Sequence, residues 1–139
     1  MKILLAVDGS AYTKKMLTYL ATHDLFRAGH DFTVLTVQAA LPPRARAAVG
    51  KAIVDDYYAS EAQKILTPVT KFLQRHDIDA PSCWKVGAAG LTIAQLARSG
   101  RFDLVIMGSH GHGALLNLVL GSVATQVLAE CDTPVLLVR

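Results

Sequence analysis

The chain has 139 residues, 52 % of them hydrophobic, and a formal charge of +3 from 14 Lys and Arg against 11 Asp and Glu. That is the length of one domain, 1–139, able to bury about two-thirds of its unfolded surface, and its scattered cations argue against nucleic-acid binding. No apolar run reaches about 18 residues, so no membrane span is expected. Met1-Lys2-Ile3 enter a strand at once, without a charged leader or cleavage site, which leads us to expect a cytoplasmic protein.

The run from Lys2 to Val7 reads as a buried strand over about 2–8 and ends at Asp8-Gly9-Ser10. Ser10 is placed to cap a helix carrying Met16, Leu17, Leu20 and Ala21 at helical spacing up to Gly29. Asp31 to Val37 is rich in β-branched residues and reads as strand two. The stretch Ala39 to Gly50, with Pro42, Pro43, Arg44 and Arg46, reads as a long solvated loop on the rim where strand two ends. From Lys51 to Asp77 a long helix is expected, with Tyr58, Ala62, Ile65, Leu66, Val69, Phe72 and Leu73 on one face and a kink or interruption at Pro68. Strand three is Ser82 to Val86, a helix follows from Thr92 to Ser99, and strand four is Asp103 to Met107. Val123 to Glu130 is the last helix and Val135 to Val138 the last strand. Five strands alternating with four helices predict an α/β fold: one open parallel sheet, right-handed crossovers and helices on both faces. Cys83 and Cys131 lack the close spacing of zinc or thioredoxin-type sites and are expected to be reduced and structural.

The chemistry concentrates where strand four runs into Gly108-Ser109-His110-Gly111, with Gly121-Ser122 nine residues further on at a helix start. Glycines after a strand let backbone N–H groups approach an anion, and a helix start adds a hydroxyl and a positive dipole end. At ordinary glycine usage the pattern G-x-x-G-x9-G-[ST] arises by chance in roughly one chain of this length in two hundred; taken alone, a purely structural turn between strand and helix is still the better reading. The balance shifts with Asp8, at the end of strand one. In open α/β sheets ligands bind at the carboxyl ends of strands where the strand order reverses, and strands one and four are the natural flanking pair. Asp8 suits a ribose hydroxyl or a Mg²⁺ ion bridging phosphates; its competing role is to cap the following helix.

Other chemistries lack their residues. The first strand ends in neither G-x-G-x-x-G nor G-x-x-x-x-G-K-[ST], and there is no G-x-S-x-G elbow, which disfavours dehydrogenases, P-loop NTPases and ester hydrolases. His110 and His112 have no third metal ligand at suitable spacing. Ser109 and Thr125 have no identifiable general base.

The segments Lys2 to Ser10 (KILLAVDGS), Val105 to Gly111 (VIMGSHG) and Gly121 to Ala124 (GSVA), closing on Pro134 to Val138 (PVLLV), resemble the universal stress protein family along the whole chain. The resemblance implies a Rossmann-like sheet of order 3-2-1-4-5, of the adenine nucleotide alpha hydrolase-like type, and a homodimer. For the subgroup that keeps the glycine motif, as this chain does, it implies ATP binding with Mg²⁺. Asp8 resembles the family's ribose- and metal-facing acid, and Val37 the position that meets adenine through its backbone. Met107 and Gly108 would line the nucleotide, and Gly111, Gly121, Ser122 and Val123 resemble the phosphate cradle. Two departures stand out. His112 replaces the Arg or Lys common after the Gly111 equivalent, which weakens phosphate affinity or makes it pH-dependent, and Ala88 and Thr92 stand where relatives often have Pro and an acid. The resemblance implies a stress-response sensor or regulator with slow or no ATP hydrolysis. Its rivals are a ligand-free dimeric interaction module and a weak ATPase or adenylate-transferring enzyme. The enzyme is disfavoured because His110-Gly111-His112-Gly113 has the wrong order for H-x-G-H and no S-G-G-x-D-S is present. Protein partners of unknown kind are compatible with any of these.

Overall fold

A computed structural model describes residues 1–26, 29–113 and 117–139. Its centre is a parallel five-stranded sheet of order β3-β2-β1-β4-β5, built from β1 (Lys2–Ala6), β2 (Asp31–Gln38), β3 (Ser82–Val86), β4 (Leu104–Gly108) and β5 (Val135–Val138). Among the described residues the α-helices are α1 (Ala11–Thr22), α2 (Pro43–Val49), α3 (Lys51–Arg75), α4 (Ala89–Ser99) and α5 (Ser122–Glu130). The strand order and the open parallel sheet are those expected from the sequence.

Strand side chains alternate between faces, so β1 feeds two cores at once. Ile3 and Leu5 join Met16 and Leu20 of α1 and Ala62, Leu66, Val69 and Leu73 of α3. Leu4 and Ala6 join Ile93 and Ala97 of α4 and Ala124 and Val127 of α5. A strand buried on both sides must be apolar at every position, and Ile3, Leu4 and Leu5 are fully buried. Ala6 pairs with Leu35 of β2 on one side and Met107 of β4 on the other. The order in which the chain adds strands to the sheet therefore reverses between β1 and β4.

Several boundaries differ from the sequence expectation. α1 ends at Thr22 and a 3₁₀ turn, Asp24–Phe26, follows. The expected continuation to Gly29 includes residues 27 and 28, which lie outside the described residues. The long loop Ala39 to Gly50 contains α2, with Pro43 in its first turn, where a missing N–H costs nothing. No residue of α2 is buried, so it leaves no apolar stripe to read. α3 runs through Pro68 without interruption. Pro68 is exposed, and burial of the opposite face holds the helix across it. α4 begins at Ala89, three residues before the expected Thr92, and with α2 the described residues hold five α-helices where four were expected.

Candidate functional site

At the carboxyl ends of β1 and β4 the two strands part, as they must at a reversal of strand order. A cleft of about 400 Å³ opens there. All eight residues singled out in the sequence line it: Asp8, Val37, Met107, Gly108, Gly111, Gly121, Ser122 and Val123. One end is apolar, formed with Leu35 and Ile93, and the other is made of backbone from the glycine loop and the start of α5.

Asp8 divides its carboxylate between two tasks. Oδ1 accepts the Ser10 N–H at 2.9 Å and the Thr13 hydroxyl at 3.0 Å, which fixes the turn into α1. Oδ2 faces Gly111: a Cβ built there would stand 2.6 Å from it. An oxygen that fixes the turn and one that faces the glycine loop therefore coexist in one side chain. Ser10 occupies the N-cap position of α1, but its side chain makes no cap bond; the Thr13 hydroxyl instead accepts the Asp8 and Gly9 N–H groups at 3.1 and 3.2 Å.

The loop itself is held by short backbone bonds. The Ser109 N–H donates to the Val138 carbonyl and the Gly121 N–H to the Ser109 carbonyl, each at 2.8 Å. A side chain at Gly121 would be crowded by backbone, since a Cβ would lie 3.0 Å from His110 Cα and 3.2 Å from the Ser109 oxygen. Gly108 is small for a different reason: a Cβ there would meet Tyr12 Cβ at 2.6 Å. Gly121 is the N-cap of α5, and no side chain caps that helix. Its first amides, those of Ser122, Val123 and Ala124, have no intrahelical acceptor and border the cleft.

The two histidines are tethered by carbonyls, which can only accept. His110 Nε2 donates to the Leu118 carbonyl at 2.8 Å, leaving Nδ1 to accept from the Ser109 hydroxyl at 2.8 Å. His112 Nε2 donates to the Asp8 carbonyl at 2.8 Å, joining the glycine loop to the end of β1. Among the described residues no group of three His, Cys, Asp or Glu side chains is arranged to hold a metal. Sequence reasoning missed Thr13, Leu35, Ala89 and Ile93, which also line the cleft. Leu35 was findable from strand pairing, because it lies opposite Ala6; Thr13 gives no signal apart from its spacing from Asp8. Burial pushes the Cys83 thiol above its ordinary range, with Lys85 acting in the opposite sense.

An open parallel sheet with a glycine-walled cleft at its reversal point defines a Rossmann-like α/β fold. The pattern of the universal stress protein family matches residues 1–139, and the chain belongs to that family. Universal stress protein Slr1230 of Synechocystis sp. is 32 % identical over 139 residues, covering 99 % of this chain and 42 % of that protein. A universal stress protein of Mycolicibacterium smegmatis is 28 % identical over 145 residues, covering 99 % and 45 %. This chain thus spans less than half the length of these two relatives. Among solved structures it is similar to hypothetical protein MJ0577 of Methanocaldococcus jannaschii, with a TM-score of 0.82 at 24 % identity, over 99 % of this chain and 94 % of that one. It is also similar to the Archaeoglobus fulgidus universal stress protein in complex with dAMP (TM-score 0.68, 20 % identity, 100 % and 98 % coverage). An Arabidopsis thaliana family member with AMP bound has a TM-score of 0.71 at 15 % identity, with 99 % and 90 % coverage. At these identities the structural likeness establishes the fold.

Proposed function

We propose that the chain binds an adenine nucleotide, ATP with Mg²⁺, in the cleft between β1 and β4, and acts as a stress-response sensor or regulator. The observation that carries this reading is the convergence of an apolar end, an acid and a glycine cradle in one cleft of about 400 Å³. The apolar end suits a purine, with Val37 beside the base. Asp8 Oδ2 suits a ribose hydroxyl or a Mg²⁺ ion, which takes one or two carboxylates and completes its shell with phosphate oxygens and water. The amides at Gly111 and the start of α5, with the Ser122 hydroxyl, suit phosphates. The dAMP and AMP complexes of proteins with this fold support the nucleotide class.

Binding rather than turnover is the proposed activity. Both imidazoles of the glycine loop are engaged with backbone carbonyls through Nε2, and His110 also with Ser109. No helix among the described residues is long and apolar enough to cross a membrane, and we assign the protein to the cytoplasm. Purified protein denatured and analysed by mass spectrometry should release an adenine nucleotide, and added ATP should bind by calorimetry. Protein that carries none and binds none in either the presence or absence of Mg²⁺ would be an interaction module with an empty cleft.

A further inference from the structure

Thr13 stands in the first turn of α1, is only 4 % exposed, and lines the cleft. A hydroxyl has one proton to give and two lone pairs to receive. The Asp8 and Gly9 N–H groups occupy both lone pairs, at 3.1 and 3.2 Å. The proton goes to Asp8 Oδ1, at 3.0 Å. Every direction in this arrangement is fixed, because an amide N–H can only donate and a carboxylate can only accept.

The consequence falls on Asp8. Oδ1 accepts both the Thr13 hydroxyl and the Ser10 N–H, the latter at 2.9 Å, which fills its two lone-pair sites. Oδ2 keeps its accepting capacity and stands where a side chain on Gly111 would fall, 2.6 Å from the Cβ position. A bare carboxylate oxygen beside the glycine loop repels phosphate oxygens, so a phosphate shares that space only with a cation between them. Mg²⁺ suits such a gap: it demands near-ideal octahedral geometry, which one carboxylate oxygen together with phosphate oxygens and water satisfies, whereas Ca²⁺ also takes both oxygens of a carboxylate.

We propose that Thr13 is a positioning residue: by occupying Oδ1 it makes Asp8 a one-oxygen ligand, through Oδ2 alone, for a Mg²⁺ ion on the nucleotide phosphates. This rests on the nucleotide reading above and assigns the means by which the site favours its metal. Thr13 acts through the carboxylate and not on the ion.

The test measures ATP affinity by calorimetry without metal, with Mg²⁺ and with Ca²⁺, for the whole chain and for Thr13→Ser, Thr13→Ala, Asp8→Asn and Asp8→Asn/Thr13→Ala. In the parent Mg²⁺ should raise the affinity, and by more than Ca²⁺ does. Thr13→Ser keeps the hydroxyl and should keep that gain. Thr13→Ala should lose about tenfold of it, a larger loss than any in metal-free binding. In the Asp8→Asn background Thr13→Ala should change the Mg²⁺ gain no further, because a residue that acts through the carboxylate has nothing left to position. A merely structural threonine would weaken ATP equally with and without metal, and additively with Asp8→Asn. That result overturns the inference, as does a parent that binds ATP with no Mg²⁺ gain or with a Ca²⁺ gain as large; each leaves the nucleotide reading standing. A parent that binds no ATP under any condition ends the nucleotide reading and this inference with it. Should Thr13→Ala fail to fold, as judged by its far-ultraviolet dichroism, the parent's preference for Mg²⁺ over Ca²⁺ and its retention in Thr13→Ser decide the matter, and the absence of either overturns the inference.

Discussion

A single carboxylate oxygen connects the fold to the ligand cleft. Asp8 Oδ2 has Gly111 as its close neighbour, so the glycine is required for space as well as for amide access. Gly111→Val is expected to drive a branched side chain into that carboxylate and into the space proposed for phosphate, lowering ATP affinity by about a hundredfold, the loss of two charge-assisted hydrogen bonds. The far-ultraviolet dichroism should stay that of the parent, and unchanged ATP affinity by calorimetry would refute the cradle. Asp8→Ala removes both the ribose- or Mg²⁺-facing oxygen and the acceptor for Ser10 and Thr13. It should weaken ATP binding and erase any Mg²⁺ dependence; a variant that binds normally with and without Mg²⁺ returns Asp8 to its capping task alone. Cys83 makes a contrasting case. Burial raises its thiol pKa, so little reactive thiolate is present at neutral pH, and alkylation followed by mass spectrometry should be slower than for an unstructured cysteine peptide. Modification at the peptide's rate would show that Cys83 is not shielded.

Among the elements, two residues test how helices are held to the sheet. Pro68 lies inside α3 on its exposed side, where it removes one helical N–H. An alanine there restores the donor, a gain of up to about 3 kcal/mol by helix propensity, less about 1 kcal/mol for the freer unfolded chain. Pro68→Ala should therefore raise the urea midpoint, and a lower midpoint would mean that the ring packs usefully. Gly90 sits where α4 approaches α5. A Cβ there would meet Gln126 Cβ at 2.6 Å, a contact that rotamer changes cannot relieve. Gly90→Ala is expected to cost about 1–3 kcal/mol through overpacking, more than its helix propensity returns, and denaturation of the variant beside the parent measures the balance.

At the scale of the whole molecule the open question is assembly. β5 is an edge strand: it pairs with β4 alone, and all four of its residues are only half-buried. Leu136 and Val138 lean toward the α1–α3 core and Val135 and Leu137 toward the α4–α5 core. An apolar strand with a free ladder edge is a ready pairing surface, and Pro134 blocks only one donor at its start. We propose a homodimer in which two copies of β5 pair antiparallel about a two-fold axis, burying Val135 and Leu137 together. Leu136→Lys or Leu137→Lys should shift it toward monomer, and light scattering that finds a monomer for the unmodified chain at micromolar concentration would refute the assembly.

The alternation of apolar runs and amphipathic stretches determined the sheet, its strand order by resemblance, and the helix face from Tyr58 to Leu73, because burial on two faces leaves a pattern local enough to read. The glycine spacing likewise brought Gly108, Gly111, Gly121 and Ser122 into view, since close backbone approach demands glycine at defined positions; Asp8 came from its place at the end of strand one, and Val37, Met107 and Val123 from the resemblance alone. α2 was not legible, as a fully exposed helix carries no apolar stripe, and the end of α1 at Thr22 was hidden because capping signals fix boundaries only loosely. Only the tertiary structure decided which atom does what. It gave Asp8 Oδ1 to the turn and Oδ2 to the cleft, tied His112 to the Asp8 carbonyl 104 positions away in sequence, and left Ser10 Oγ buried without an acceptor. These depend on contacts between residues far apart in the chain, and distance in space is not written in local sequence pattern.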